Sequence, residues 1–448
     1  MIFQPALVAA QLFIQLFRTG VKGRINFSRV RLGHCCQACR KVDARFAHEF
    51  INHPERIKTP LIRYKKGGKL IPSTWDSAIE FITEKFSDAG NKVGVIASSR
   101  LTNEAIFTLK RFANEAVGTE NYAVSDANDL APFFNNLSVP LCTHKEIRHA
   151  ATIILIGGEP EEEQTFTAKQ MRQAVKNGDA KLIIINEKPI RLTSSASQFL
   201  HINSGSLDAF ALALSSDDEA AWKKLGVKDA EIKALKDTIN ATEGDLIISV
   251  GSDLSAEAQA VLAASAKNFA GDNRKVLLQP LPLYNNSVGA NDMMPERKSL
   301  SEVLKDSKSL LIGGSLQDSS GLTGKDFVVV QEMFETETTK QADAVLPAAS
   351  FAEVDGTYTN NTGFVQRVRK SIDPVHQAKP DWTITSTIAK ALGTDFGYNL
   401  SASAVFRSIA DSVNSYNGLR YPNLKDESNP VKVNHKITED PDISGEIE

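Results

Sequence analysis

Ala151-Thr152-Ile153-Ile154-Leu155-Ile156 and Lys181-Leu182-Ile183-Ile184-Ile185 bracket a helical stretch from Thr165 to Val175. Both runs are short, continuously apolar and rich in β-branched side chains. That is the composition of strands covered on both faces, as in a parallel sheet. Two such strands joined through a helix form a βαβ unit. The pattern repeats outward in both directions. Val93-Gly94-Val95-Ile96-Ala97 lies upstream, and Asp245–Val250, Lys275–Leu278, Leu310–Ile312 and Phe327–Val330 lie downstream. A helix from Thr74 to Phe86 carries Trp75, Ile79, Ile82 and Phe86 at helical spacing, with Ser73 or Thr74 as its cap. Further helices are expected over Asn103–Ala116 and Ser255–Asn268. The chain reads as α/β, with more than one doubly wound sheet.

Composition agrees with a packed protein. The 448 residues are 42% hydrophobic and 23% charged, enough for about three domains or one large composite body. A net charge of −3 gives no basic field for nucleic acid. Met1 to Phe17 carries no charge, but Gln4, Gln11 and Gln15 interrupt it. It is too short and broken for a spanning helix and lacks the positive flank of a secretory signal, so it reads as an amphipathic helix or leader. No later segment could cross a membrane. From about Pro422 the chain is poor in large apolar residues and reads as a disordered tail.

Four cysteines suit a reducing compartment better than a disulfide scaffold. Cys35, Cys36 and Cys39 crowd together, and a CxxC pair can hold zinc, an iron–sulfur cluster or a redox disulfide. Several catalytic motifs fail on spacing. Gly321–Asp326 lacks the first glycine and the hydroxyl residue of a phosphate loop. His48 and His53 are five apart rather than the four that one helical face requires, as are His144 and His149. There is no GxSxG elbow and no GxGxxG after a strand.

His53-Pro54-Glu55-Arg56-Ile57-Lys58-Thr59-Pro60-Leu61-Ile62-Arg63, Trp75-Asp76-Ser77-Ala78-Ile79 and Ser98-Ser99-Arg100-Leu101-Thr102-Asn103-Glu104 resemble the leading segments of molybdopterin oxidoreductases. Gln331-Glu332, Thr336–Thr338, Ala342–Ala348, Phe351–Asn360, Gly363–Arg367 and Pro380-Asp381-Trp382 follow in that family's order. Gly289-Ala290-Asn291-Asp292-Met293 is similar to a segment of the large iron–sulfur subunit of respiratory NADH-quinone oxidoreductase. The resemblance spans about residues 39–395. It implies the molybdopterin-oxidoreductase (formate dehydrogenase/DMSO reductase-like) fold with two Rossmann-like domains. The expected organisation is an unassigned leader at 1–38, a cluster-binding remnant at 39–72, a discontinuous α/β domain at 73–140 and 300–395, an inserted domain at 141–299, and a C-terminal extension from 396.

Departures from the family set the functional expectations. The ferredoxin-like part that begins the respiratory subunit is missing. The resemblance implies a 4Fe–4S cluster, for which Cys35, Cys36 and Cys39 are the candidate ligands. Active formate dehydrogenases place a metal-binding cysteine or selenocysteine after the helix that follows the Ser98–Glu104 segment. Here that stretch offers only Ser125, as a ligand or as a turn residue. The nucleotide-binding aspartates of relatives correspond to Asn186-Glu187 and, one place late, to Asp208. Molybdopterin is therefore expected not to bind, and Ser125, Glu187 and Asp208 are its candidate contacts if it does. The first functional expectation is a scaffold subunit of NADH-quinone oxidoreductase (complex I), partnered by other subunits and held in the cytoplasm at the inner membrane face through them. The alternative is a molybdopterin-dependent oxidoreductase of the formate dehydrogenase type.

Overall fold

A computed structural model describes residues 47–126, 129–216, 219–425 and 430–438. They form two compact units. Unit 1 takes the described residues up to 126 with 284–360 and 365–431, and unit 2 takes those from 129 to 283 with 361–364 and 432–438.

In chain order, unit 1 contributes β1 (Leu61–Ile62), β2 (Ile71–Pro72), β3 (Val93–Ala97) and β4 (Tyr122–Val124). Unit 2 follows with β5 (Thr152–Ile156), β6 (Lys181–Asn186), β7 (Gln198–His201), β8 (Gly244–Gly251) and β9 (Arg274–Leu281). The chain then returns to unit 1 for β10 (Ser309–Gly313), β11 (Phe327–Glu332), β12 (Ala344–Pro347), β13 (Gly356–Thr359) and β14 (Phe364–Val368).

The main sheet of unit 1 has the order β2-β1-β12-β11-β10-β3-β4. Its five strands from β12 to β4 are parallel, with Leu311 of β10 aligned with Val95 and Val329 on either side. Ile96, Leu310, Ile312, Val328, Val330 and Val345 pack on one face with Val303. The Trp75–Ala89 helix starts where the Thr74 hydroxyl accepts the Ser77 N–H, and it buries Ala78, Ile79, Ile82 and Phe86. The next helix is shorter than its apolar period suggests. It is α-helical over Asn103–Arg111, and Phe112–Ala116 forms a wider π turn closed by Val117 N–H on the Phe112 carbonyl.

Two buried polar networks tie the early and late segments of unit 1 together. Arg56 forms a two-pronged pair with Glu353, 2.9 Å at each prong, and also donates to the Ile51 and Ala348 carbonyls. Backbone N–H groups of Ser350 and Val375 complete the Glu353 carboxylate. In the second network, Glu104 accepts from the Thr357 N–H (2.7 Å), the Thr357 hydroxyl (3.1 Å) and the Tyr421 hydroxyl (2.9 Å). The Asn103 amide donates to the hydroxyls of Thr357 and Thr359, and Tyr416 links Thr359 to Asp292. The motif blocks at 53–63 and 98–104 thus each meet the block at 351–360 in space, through contacts 253 to 297 residues apart in sequence.

Unit 2 is built on an all-parallel sheet of order β7-β6-β5-β8-β9. Ile153, Leu155, Leu182, Ile184, Ile247 and Leu277 form its core with Ala168 and Met171 of the Thr165–Gly178 helix. The expectation of a disordered tail is corrected for residues 430–438. Val433 is buried, its N–H donates to the Gly363 carbonyl, and the Thr438 N–H donates to the Leu137 carbonyl. One apolar side chain and two backbone anchors outweigh the polar composition of that stretch.

The α/β reading and the fold it implied are borne out. Among the described residues no helix is long and apolar enough to cross a membrane.

Candidate active site

A parallel sheet wound in both directions from one strand pair leaves a crevice beyond the carboxyl ends of that pair. In unit 1 the chain runs from β3 to β4 one way and from β10 through β11 to β12 the other, so the crevice lies between β3 and β10. Ser98-Ser99-Arg100 follow β3, and Gly314-Ser315 follow β10. The Ser98 N–H donates to the Gly313 carbonyl, which holds the two loops together. Gly314 has φ +84°, and a Cβ there would lie 2.7 Å from the Ser98 Cβ, so only glycine lets the loops approach this closely. Ser99 is fully buried, and its hydroxyl has no partner. Arg100 is exposed, with its guanidinium 4.6 Å over the Tyr284 ring. Ser315 donates to Glu332 at 2.7 Å, and Glu332 stands at the carboxyl end of neighbouring β11.

Unit 2 repeats the device. Its chain runs β5, β6, β7 one way and β8, β9 the other, which puts the crevice between β5 and β8. Gly157-Gly158 follow β5 with φ +65° and +74°. The Gly158 N–H donates to both carboxylate oxygens of Asp253, at 2.8 and 2.9 Å. A Cβ on Gly157 would meet that carboxylate at 2.2 Å. Burial, with Glu187 and Glu159 nearby, raises the Asp253 carboxyl above its ordinary range. Glu163 is raised by burial too, with Asp253 and Glu159 adding to it, and its Oε2 is buried without a hydrogen-bond partner. This crevice is acidic and suits hydroxyl or amino donors on a ligand.

The sequence candidates fall as follows. Ser125 lies buried just past β4 in unit 1, and its N–H donates to the Ala97 carbonyl at 2.9 Å. Glu187 follows β6 in unit 2, where it accepts from the Gly205 N–H (2.7 Å) and the Ser204 hydroxyl (3.1 Å). Asp208 accepts the Ser255 N–H at 2.9 Å, so that oxygen already has a protein partner. Cys35, Cys36 and Cys39 lie outside the described residues. Among the described residues no group of three or more His, Cys, Asp or Glu is placed to hold a metal ion. Sequence reasoning did not assign roles to Arg100, Gly314, Ser315, Gly157, Gly158 or Asp253. Strand order selects them, and the glycine pair directly after β5 is the signal that sequence offered.

Comparison with known proteins agrees with this geometry. Residues 56–391 match the family model described as molybdopterin oxidoreductase. The F420-dependent formate dehydrogenase subunit alpha of Methanocaldococcus jannaschii is 27% identical, over 85% of this chain and 68% of its own length. The F420-dependent formate dehydrogenase 1 subunit alpha of Methanococcus maripaludis is 24% identical, over 86% and 69%. A putative formate dehydrogenase of Bacillus subtilis, YrhE, is 25% identical, over 82% of this chain and 47% of its own. Among solved structures, acetylene hydratase from Pelobacter acetylenicus superposes with a TM-score of 0.67 at 14% identity, covering 88% of this chain and 68% of that one.

These findings correct one expectation. Molybdopterin was expected not to bind, because a metal thiolate is missing near Ser125 and the nucleotide carboxylates are displaced. The family match over 56–391 and the formate dehydrogenase relatives point instead to a bound molybdopterin. The residues present fit such a group. In unit 1 the unpartnered Ser99 hydroxyl can serve a polar group of such a cofactor. In unit 2, by itself, the acidic groups Asp253 and Glu163 suit its hydroxyl and amino groups. A displaced aspartate does not leave that crevice without carboxylates. The narrower likeness to the respiratory subunit is not what these relatives are named for.

Proposed function

Because the chain belongs to the molybdopterin oxidoreductase family, we propose that it is a molybdopterin-dependent oxidoreductase of the formate dehydrogenase type. The observation that carries this reading is the run of formate dehydrogenase relatives aligned over 82 to 86% of the chain. The crevices of units 1 and 2 give it a physical basis. When bound, molybdopterin supplies two-electron redox chemistry. In unit 1, Ser98, Ser99 and Gly314 would hold it, with Ser125 as the oxygen side chain at the end of β4. Unit 2, taken by itself, offers Glu163, Glu187, Asp208 and Asp253 as acceptors for hydroxyl or amino groups of a cofactor nucleotide. Arg100 is an exposed cation at the mouth of the unit 1 crevice, suited to drawing in and orienting a small carboxylate such as formate. Reading the chain as a complex I scaffold, with its partner subunits, inner-membrane position and cluster on Cys35, Cys36 and Cys39, rests on segment resemblance alone and is the weaker of the two.

The test is production in a host that makes the cofactor, followed by metal and pterin analysis and a formate-dependent dye-reduction assay. Stoichiometric molybdenum or tungsten with pterin, and dye reduction that needs formate, is the expected result. Fully loaded protein that leaves formate untouched would sink the formate assignment. Protein that acquires neither metal nor pterin would sink the reading altogether.

A further inference from the structure

The connection between β1 and β2 reads Arg63-Tyr64-Lys65-Lys66-Gly67-Gly68-Lys69. Its shape is fixed by contacts. The Gly68 N–H donates to the Lys65 carbonyl at 2.8 Å, and a Cβ on Gly68 would lie 2.8 Å from that same oxygen. The Arg63 N–H donates to the Asp343 carbonyl at 2.7 Å and Lys66 pairs with the Asp343 carboxylate, which places the loop beside the amino end of β12. The Tyr64 ring meets Phe81 edge-on (5.6 Å), and Phe81 meets Phe327, the first residue of β11 (5.4 Å). Tyr64 is nonetheless 71% exposed and Ile71 of β2 44%, so two of the four exposed large apolar side chains among the described residues sit on this one hairpin.

The parallel strands of this sheet point their carboxyl ends at the crevice, so the loop lies at the opposite end. Lysines gather there. Lys92 leads into β3, and Lys305 and Lys308 lead into β10. With Lys65 and Lys69 they are exposed, and none of the five pairs with a carboxylate among the described residues. β3, β10, β11 and β12 are consecutive in the sheet, so the outer two are about 14 Å apart and the loop lies just beyond. Carboxylates at this end are mostly taken. Asp343 has Lys66, Asp306 has Lys298, Glu84 has Lys85, and Asp326 follows Lys325 directly. That leaves Asp88 against the five free lysines.

We propose that this end of unit 1 is a docking face for an anionic lipid bilayer, with the lysines over acidic headgroups and Tyr64 and Ile71 in the interfacial layer. Charge complementarity selects an anionic surface. The residue types select lipid over protein. Packed protein interfaces are depleted of lysine and favour the rigid fork of arginine. Of the cations named at this end, all but Arg63 are lysines, point charges on flexible stems that can follow a fluid array of headgroups. Tyrosine suits the boundary, with its ring in the apolar layer and its hydroxyl in water. Docked this way, the crevice of unit 1, at the far end of the same strands, faces away from the bilayer. The proposal is independent of the formate reading.

Flotation of the full-length chain with lipid vesicles tests the face. Phosphatidylcholine vesicles carrying about 30% phosphatidylglycerol are expected to retain the protein at about 50 mM salt and to release it at about 500 mM, where charges are screened over a few ångströms. Vesicles of phosphatidylcholine alone are expected not to retain it. Each lysine near the surface changes partitioning about fivefold, so Lys65→Gln, Lys69→Gln and Lys308→Gln combined should weaken binding about 10²-fold with the unfolding midpoint unchanged. Removing the same charge from unit 2, by Lys223→Gln, Lys224→Gln and Lys233→Gln combined, should change it by no more than about threefold. Wild-type protein that ignores the anionic vesicles at low salt overturns the proposal. So does binding that survives the first triple variant, which would place the contact elsewhere in the chain. Equal losses in both triple variants would mean that net charge alone is read, and would overturn it too. Tighter binding of duplex DNA than of vesicles through the same three lysines would reassign the face to nucleic acid.

Discussion

Substituting Glu104 by glutamine isolates one contribution to the stability of unit 1. Two effects oppose each other at this residue. Three donors reach its carboxylate, which favours ionisation, while complete burial favours the neutral acid. Burial dominates, and the carboxyl rises from 4.5 to about 7. The sign follows. Between pH 4.5 and about 7 the unfolded chain has lost this proton and the folded chain still holds it, so the folded state binds more protons and stability falls as pH rises. At about 1.4 kcal/mol per unit, the loss across that window is about 3 kcal/mol, and it levels off above about pH 7. The glutamine of the variant does not titrate. Its amide can accept from the Thr357 N–H and donate to the two hydroxyls, at a pH-independent cost of about 1 kcal/mol. The measurement is urea unfolding of wild type and Glu104→Gln at pH 5, 6, 7 and 8, compared at equal m-values. The variant should be the less stable protein at pH 5 and should gain on wild type by roughly 2 to 3 kcal/mol by pH 8. Parallel curves would refute the reasoning and show that the three donors, not burial, set the ionisation of Glu104.

Two further predictions concern unit 1. Arg56→Met strands the buried Glu353 carboxylate and should cost about 3–5 kcal/mol, whereas the double change with Glu353→Leu should recover much of it; equal unfolding midpoints for the single and double variants would contradict this. Gly314→Ala forces a Cβ onto Ser98 at positive φ and should lower Tm while cutting pterin content more than an alanine placed on an exposed helix; unchanged pterin loading would show that the two loops tolerate separation.

Strands with neighbours on both sides were the most legible in the chain. β5, β6, β8, β10 and β11 each carry an unbroken apolar run of three residues or more, rich in Ile, Val and Leu, as strands covered on both faces do. The edge strand β9 is legible only through Val276-Leu277-Leu278. β4 is three residues long and β7 is Gln198-Phe199-Leu200-His201, so neither carries a period that stands out from loop sequence. The site was legible only as motif blocks. Asn103, Glu104, Thr357 and Thr359 read as family residues, but the amide-to-hydroxyl network that unites them depends on pairing across more than 250 positions. The crevices needed strand order, which no local pattern encodes. The cofactor expectation failed because it weighed single side chains, Ser125, Glu187 and Asp208, above a family likeness that runs through residues 56–391.

The long-range ties in unit 1 also bear on how the chain comes to be folded. All five strands of unit 2 have been made once Leu281 is synthesised, and its sheet can assemble then. Unit 1 cannot. β3 has β10 as one neighbour, Arg56 waits for Glu353, and Glu104 waits for Tyr421. Its first half must persist with an incomplete sheet while the intervening unit is built, and contacts so distant in sequence form slowly. A chain stopped after unit 2 would carry that folded sheet behind the unfolded first part of unit 1, with the apolar faces of β3 and β4 still uncovered.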